Sequence, residues 1–144
     1  MYSRIVVGTK GTDRSLIAVD HAARLAAAFS AELHVVAAAS PIGGARDKHP
    51  SALRDATAAF SDSSARAAAK LGHDASKRHG VRAVEHPRVG EPASVLMAVA
   101  DAVDADLIVV GSKRAIGQVL KFGGSVPSRL AQHCDRALLI VHTG

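Results

Sequence analysis

The chain has one cysteine, Cys134, no tryptophan, one tyrosine and three phenylalanines among its 144 residues. A single thiol excludes an intrachain disulfide, and no ligand pairs stand at zinc spacing. With so few aromatic rings there are no stacking platforms for a single nucleic-acid strand. No apolar run approaches the roughly 18–20 residues that span a bilayer. Met1-Tyr2-Ser3 lead straight into the first apolar run and leave no space for a signal peptide. These absences predict a soluble cytoplasmic protein with no membrane partner. Catalytic furniture is missing too. There is no G-x-S-x-G elbow, and Gly8-Thr9-Lys10-Gly11-Thr12 lacks the spacing of a P-loop. No paired carboxylates or activated nucleophile stand out, so the expectation is a non-enzyme, at most a slow incidental hydrolase of ATP.

What is present is an alanine-rich chain with 48% hydrophobic residues, long enough for one domain over 1–144 with its own core. Lys and Arg number 18 against 13 Asp and Glu, a formal charge of +5. The arginines are scattered, from Arg4, Arg14 and Arg24 to Arg66, Arg78 and Arg88, which describes a solvated surface rather than a nucleic-acid footprint. An anionic small ligand is compatible with it. The eight histidines are dispersed. His73 and His79 share a helical stretch but stand six apart, not at the i, i+4 spacing of two ligands, so no metal site is expected. His133-Cys134-Asp135 reads as a helix end with a buried thiol or exposed cap.

Apolar runs alternate with helical patterns. Arg4–Gly8 reads as a buried strand, and a polar turn follows. A helix then runs through Phe29, with Val19, Ala22, Ala26 and Phe29 on one face. Thr12, Asp13 and Ser15 are all candidates to cap it. Leu33–Ala39 is a second strand, leading into a Gly- and Pro-bearing loop over 40–50. A long helix is predicted over Ser51–His79, with Leu53, Ala56, Phe60, Ala67, Leu71 and Ala75 on its inner stripe and a nick near Ser61-Asp62-Ser63-Ser64. Gly80 stops it. Val81–Val89 is a polar strand near an edge, because Pro87 cannot donate to a ladder. Pro92 opens a helix carrying Val95, Leu96, Val99 and Val103. Leu107–Val110 runs into Gly111, a glycine-bearing loop follows, and a helix from about Ser125 to His133 precedes a last strand, Ala137–Val141.

Five strands alternating with four helices predict an α/β fold with a doubly wound parallel sheet, order 3-2-1-4-5, helices on both faces. Ligands in such sheets sit beyond the carboxyl ends of the strands at the winding switch. Those ends are Gly8, Thr9 and Lys10 on one side and Gly111–Arg114 on the other. A strand delivering a glycine loop to a helix N-terminus is also a geometry that binds phosphate. The same glycines serve equally well as turn residues, and Ser125 as a plain N-cap.

The run from Asp106 to Val126, together with the Val-Gly-Thr end of the first strand and the Val89-Gly90-x-Pro92-Ala93 turn, resembles the universal stress protein family across essentially the whole chain. The family's nucleotide signature is glycine, two residues, glycine, nine residues, then glycine with serine or threonine. Gly111 and Gly124-Ser125 match its outer positions. The resemblance implies a homodimer of doubly wound α/β domains, with ATP or cyclic AMP as ligand (magnesium only with ATP) and a regulatory rather than catalytic role. It assigns Gly111, Gly124, Ser125 and Val126 to phosphate and places Ala38 against adenine. Two positions depart. Lys10 stands where the family has an acid that holds the nucleoside, and an ammonium accepts no hydrogen bonds. Arg114 replaces the middle glycine, and its guanidinium either pairs with phosphate or fills the pocket.

Two functions follow. The first is a stress-response regulator binding an adenine nucleotide at the Gly8–Lys10 and Gly111–Ser125 crevice. The second is a nucleotide-independent dimeric interaction module with a degenerate site. The apolar last strand, left at a sheet edge, recruits another chain, so the dimer is expected through 137–141.

Overall fold

The computed structural model describes residues 1–40, 51–113 and 125–144, without the side chains of 51–58. Its strands are β1 (Arg4–Gly8), β2 (Glu32–Ala39), β3 (Ala83–Val89), β4 (Leu107–Ser112) and β5 (Ala137–His142). Between them run α1 (Asp13–Phe29), α2 (Ser51–Lys77), α3 (Pro92–Val103) and α4 (Val126–His133). All strand pairs are parallel, in the order β3-β2-β1-β4-β5, as the alternation predicts. The predicted loop over 40–50 lies, from residue 41 on, outside the described residues, as do Arg114, Gly124 and everything between them.

Side chains alternate across the central strands and fill two separate cores. Ile5, Val7, Leu33, Val35, Leu107 and Val109 point to α1 and the end of α2. Val6, Val36, Ile108 and Val110 point to α3 and α4. With both faces covered, period-2 polarity disappears and the strands read as continuous apolar runs. Asp106 fixes where β4 starts relative to β1: its carboxylate accepts the Ser3 and Arg4 N–H groups, at 2.8 and 3.2 Å.

Of the three candidate caps of α1, Thr12 does the work, its hydroxyl accepting Ser15 N–H at 3.2 Å. Asp13 is the first helical residue. Val19, Ala22 and Ala26 are buried as predicted, but Phe29 is half-exposed. Its ring meets Tyr2 edge-on at 5.4 Å, because α1 ends there with Ser30 in the left-handed conformation.

The inner face of α2 differs more from expectation. Phe60 is 63% exposed and Leu71 46%, and Ala67 is exposed as well. The buried stripe is Ser61, Ala65, Ala68, Ala69, Gly72, Ala75 and Ser76, of which the helical pattern predicts only Ala75. The physical reason is proximity. A Cβ on Gly72 would stand 2.6 Å from Val35 Cγ1, so α2 lies too close to β2 for large side chains to fit between them. The buried serines are satisfied, Ser61 by the Ser40 carbonyl and Ser76 by that of Gly72. They leave the helix unbroken, and the predicted nick is absent.

Candidate functional site

The sheet reverses its winding between β1 and β4, and their carboxyl ends flank a crevice of about 380 Å³. That volume lies in the range of small-molecule sites. One flank is the turn from Thr9 to Thr12, which is tied together by three hydroxyls. Thr9 is buried, and its Oγ1 accepts Gly11 N–H at 3.1 Å. Ser15 Oγ accepts Lys10 N–H at 3.1 Å and donates to the Thr12 carbonyl at 3.0 Å. With that proton engaged, the 2.9 Å contact between Thr9 and Ser15 is a bond donated by Thr9. The amides of Lys10 and Gly11 are therefore already used, and this turn is no phosphate nest. Gly11 adopts φ +77°, and a Cβ at that position would stand 3.0 Å from the Ala68 α-carbon of α2. What the turn presents outward is the Lys10 side chain, which is exposed and lines the crevice.

On the far side, β4 carries its backbone past Thr143. A Cβ on Gly111 would meet Thr143 Cγ2 at 2.9 Å, so the glycine answers a packing need at this point. Gly8 is similar, since Leu96 of α3 fills the space its side chain would occupy. Ser125 caps α4, accepting Ser128 N–H at 3.3 Å and donating to Ser128 Oγ at 2.8 Å. Val126, the first helical residue, lines the crevice. Ala38 of β2 borders it as expected, and also borders a second cavity of about 260 Å³. Lys10 is shared by both.

The third wall is α3. Its N-cap is Glu91, whose carboxylate accepts the N–H groups of Ala93 at 3.1 Å and Ser94 at 2.9 Å and the Ser94 hydroxyl at 2.8 Å. Arg129 of α4 stands 2.9 Å from the same carboxylate. Burial acts to raise the pKa of Glu91, but these hydrogen bonds and Arg129 outweigh it and bring it to about 2. Pro92 and Leu96 then form an apolar wall with Val36, Val110 and Val126.

Electrostatically the crevice is one-sided. Lys10, Arg14 and Lys113 line it, and no carboxylate does so among the described residues. The sequence predicted Gly8, Thr9, Lys10, Ala38, Gly111 and Val126 at this place, and the structure brings all six to it. Ser125 adjoins through Val126. Sequence reasoning missed Arg14, which the spacing of a helix N-terminus signals, and Thr143, for which only the register of β5 gives a clue. Among the described residues no three His, Cys, Asp or Glu groups converge as a metal cluster, and no helix is long and apolar enough to cross a membrane.

Fold and crevice together define a doubly wound α/β domain with an open crevice at its switch point. The profile of the Universal stress protein family matches residues 1–142. Universal stress protein Rv1636 of Mycobacterium tuberculosis (strain ATCC 25618 / H37Rv) is 36% identical over 153 aligned positions, covering 99% of this chain and 97% of that one. A crystal structure of a universal stress protein in complex with cAMP has 36% identity, covers 99% of each chain and gives a TM-score of 0.75. A universal stress protein from Archaeoglobus fulgidus, at 26% identity, covers 98% of this chain and 99% of its own with a TM-score of 0.74. The chain belongs to the universal stress protein family.

Proposed function

We propose that the crevice holds an adenine nucleotide, ATP or cyclic AMP, and that occupancy serves as a stress-response signal rather than a step in catalysis. The observation that carries this reading is the make-up of the crevice. Apolar walls from Val36, Leu96 and Val110 suit a flat base, and the basic lining of Lys10, Arg14 and Lys113 suits an anion. The 36% identical relative in complex with cAMP supports it. In this reading Ala38 lies against the base and Gly8, Thr9 and Lys10 flank the sugar. Gly111, Arg114, Gly124, Ser125 and Val126 serve the phosphate. A phosphate at α4 has to win the Ser125 proton from Ser128. Magnesium enters only on ATP, since no described lining residue is a carboxylate. Residues 1–144 act as one domain, paired into a homodimer through β5.

Isothermal titration with ATP and with cyclic AMP tests the reading. Saturable heat with either ligand, weakened by Lys113→Ala, is expected; no heat and no thermal shift at millimolar ligand sinks it. A second reading, a nucleotide-independent dimeric interaction module, is favoured by one observation. The Lys10 and Gly11 amides are already bonded within their own turn. It wins if the parent is inert and Lys10→Asp with Arg114→Gly creates binding.

A further inference from the structure

Two imidazoles meet away from the crevice, on the β2–β3 side of the sheet. His34 is 4% exposed, and its Nδ1 stands 2.8 Å from Nε2 of His86. Its other nitrogen, Nε2, stands 2.7 Å from Glu32 Oε1. An ionised carboxylate only accepts, so His34 carries its proton on Nε2 and turns the Nδ1 lone pair toward His86. In the register His86 pairs with Val36, and His34 pairs with Val84, so the rings are diagonal neighbours on one face. Their centroids are 5.0 Å apart and their planes tilt by 38°.

A carboxylate holding one imidazole nitrogen while the other faces outward is the order of a metal-ligating histidine and its supporting partner. We propose that His34 Nδ1 and His86 Nε2 form a two-imidazole site for a divalent transition cation, with Glu32 orienting His34 and water completing the coordination. To ligate, His86 takes its Nδ1–H tautomer, and its half-exposed ring pivots so that both lone pairs meet at one point. Metal–imidazole bonds of about 2.0–2.1 Å put ligands at a right angle roughly 2.9 Å apart, and tetrahedral ligands roughly 3.3 Å apart. From the present hydrogen-bond distance of 2.8 Å the pivot of His86 has to reach one of these separations, and nickel(II), copper(II) and zinc(II) all accept imidazole nitrogen. Spacing along a helix does not register this pair, because its two histidines lie on different strands.

The test is titration of nickel(II) into the untagged full chain, followed by calorimetry and by imidazole nitrogen NMR. One equivalent should bind, and the His34 and His86 signals should broaden before those of the other histidines. His86→Gln should weaken binding by at least about 10-fold and Glu32→Gln by about 10-fold, with far-UV circular dichroism confirming both folds. The proposal is overturned by no saturable binding below about 1 mM. It is equally overturned by broadening that spares His34 and His86, or by unchanged nickel affinity in His86→Gln. In those cases the two rings share only a hydrogen bond.

Discussion

Replacing Gly11 by alanine tests whether the turn that carries Lys10 owes its shape to α2. The glycine adopts φ +77°, and a built Cβ stands 3.0 Å from Ala68 Cα and 3.1 Å from Ala68 Cβ. Two costs therefore add. The left-handed conformation costs an L residue roughly 1 kcal/mol. The contact with helix backbone, which cannot rotate away as a side chain would, adds about 1–3 kcal/mol of overpacking. A stiffer unfolded chain offsets about 0.5 kcal/mol of this. Gly80 provides the control. It has φ +71° and nothing within 4 Å, so Gly80→Ala carries only the first cost and the same offset. In urea unfolding followed by far-UV circular dichroism, Gly11→Ala should lose about 1–3 kcal/mol more than Gly80→Ala with an unchanged m-value. For a domain of this size that corresponds to about 2–4 °C in Tm per kcal/mol. Equal losses in the two variants would refute the reasoning, because they would show that the turn can lift off α2 freely.

Gly72→Ala should destabilise by about 1–2 kcal/mol although alanine is the better helix former by about 1 kcal/mol, because its Cβ falls 2.6 Å from the buried Val35; thermal unfolding decides the sign. For Glu91 the folded pKa of about 2 lies below the usual value of 4.5, so its contribution is present above pH 4.5 and is lost as pH falls toward 2. Its carboxylate is more than a third exposed, so after solvent screening Glu91→Gln should cost roughly 1 kcal/mol at pH 7, with the difference from the parent closing near pH 2. Denaturation at a series of pH values checks this, and a gap that persists at pH 2 counts against the capping account. Ile140→Lys, on the half-exposed edge strand β5, should give a monomer in analytical ultracentrifugation if that edge forms the dimer.

The sheet was legible because its strands bury both faces. Ile5–Val7, Val35–Ala39 and Leu107–Val110 announce themselves as unbroken apolar runs, and the alternation of elements then dictates the winding. The inner face of α2 was not legible, since hydrophobicity marks Phe60 and Leu71 for the core while packing distance selects Ser61, Ala69 and Gly72. Size, not polarity, decided that helix. In the crevice the positions were readable from strand ends and signature spacing, but their partners were not. Nothing in the string Gly-Thr-Lys-Gly-Thr shows that Thr9 and Ser15 occupy the turn amides, because that depends on hydroxyl directions set by the folded turn. Gly90-Glu91-Pro92 reads as a helix start, but the link from Glu91 to Arg129 spans 38 positions, a separation that local patterns do not register.

That link has a consequence for recognition. One carboxylate both caps α3 and holds α4, so Leu96 and Val126, which stand on the two helices, face the crevice from a single jointed unit. Opposite them, the hydroxyl web fixes the turn of Thr9 to Thr12. A guest entering between two such walls loses its own freedom but asks little ordering of these surfaces in return. For the nucleotide proposed above, these two walls would be preformed, and the entropy lost against them would fall chiefly on the ligand.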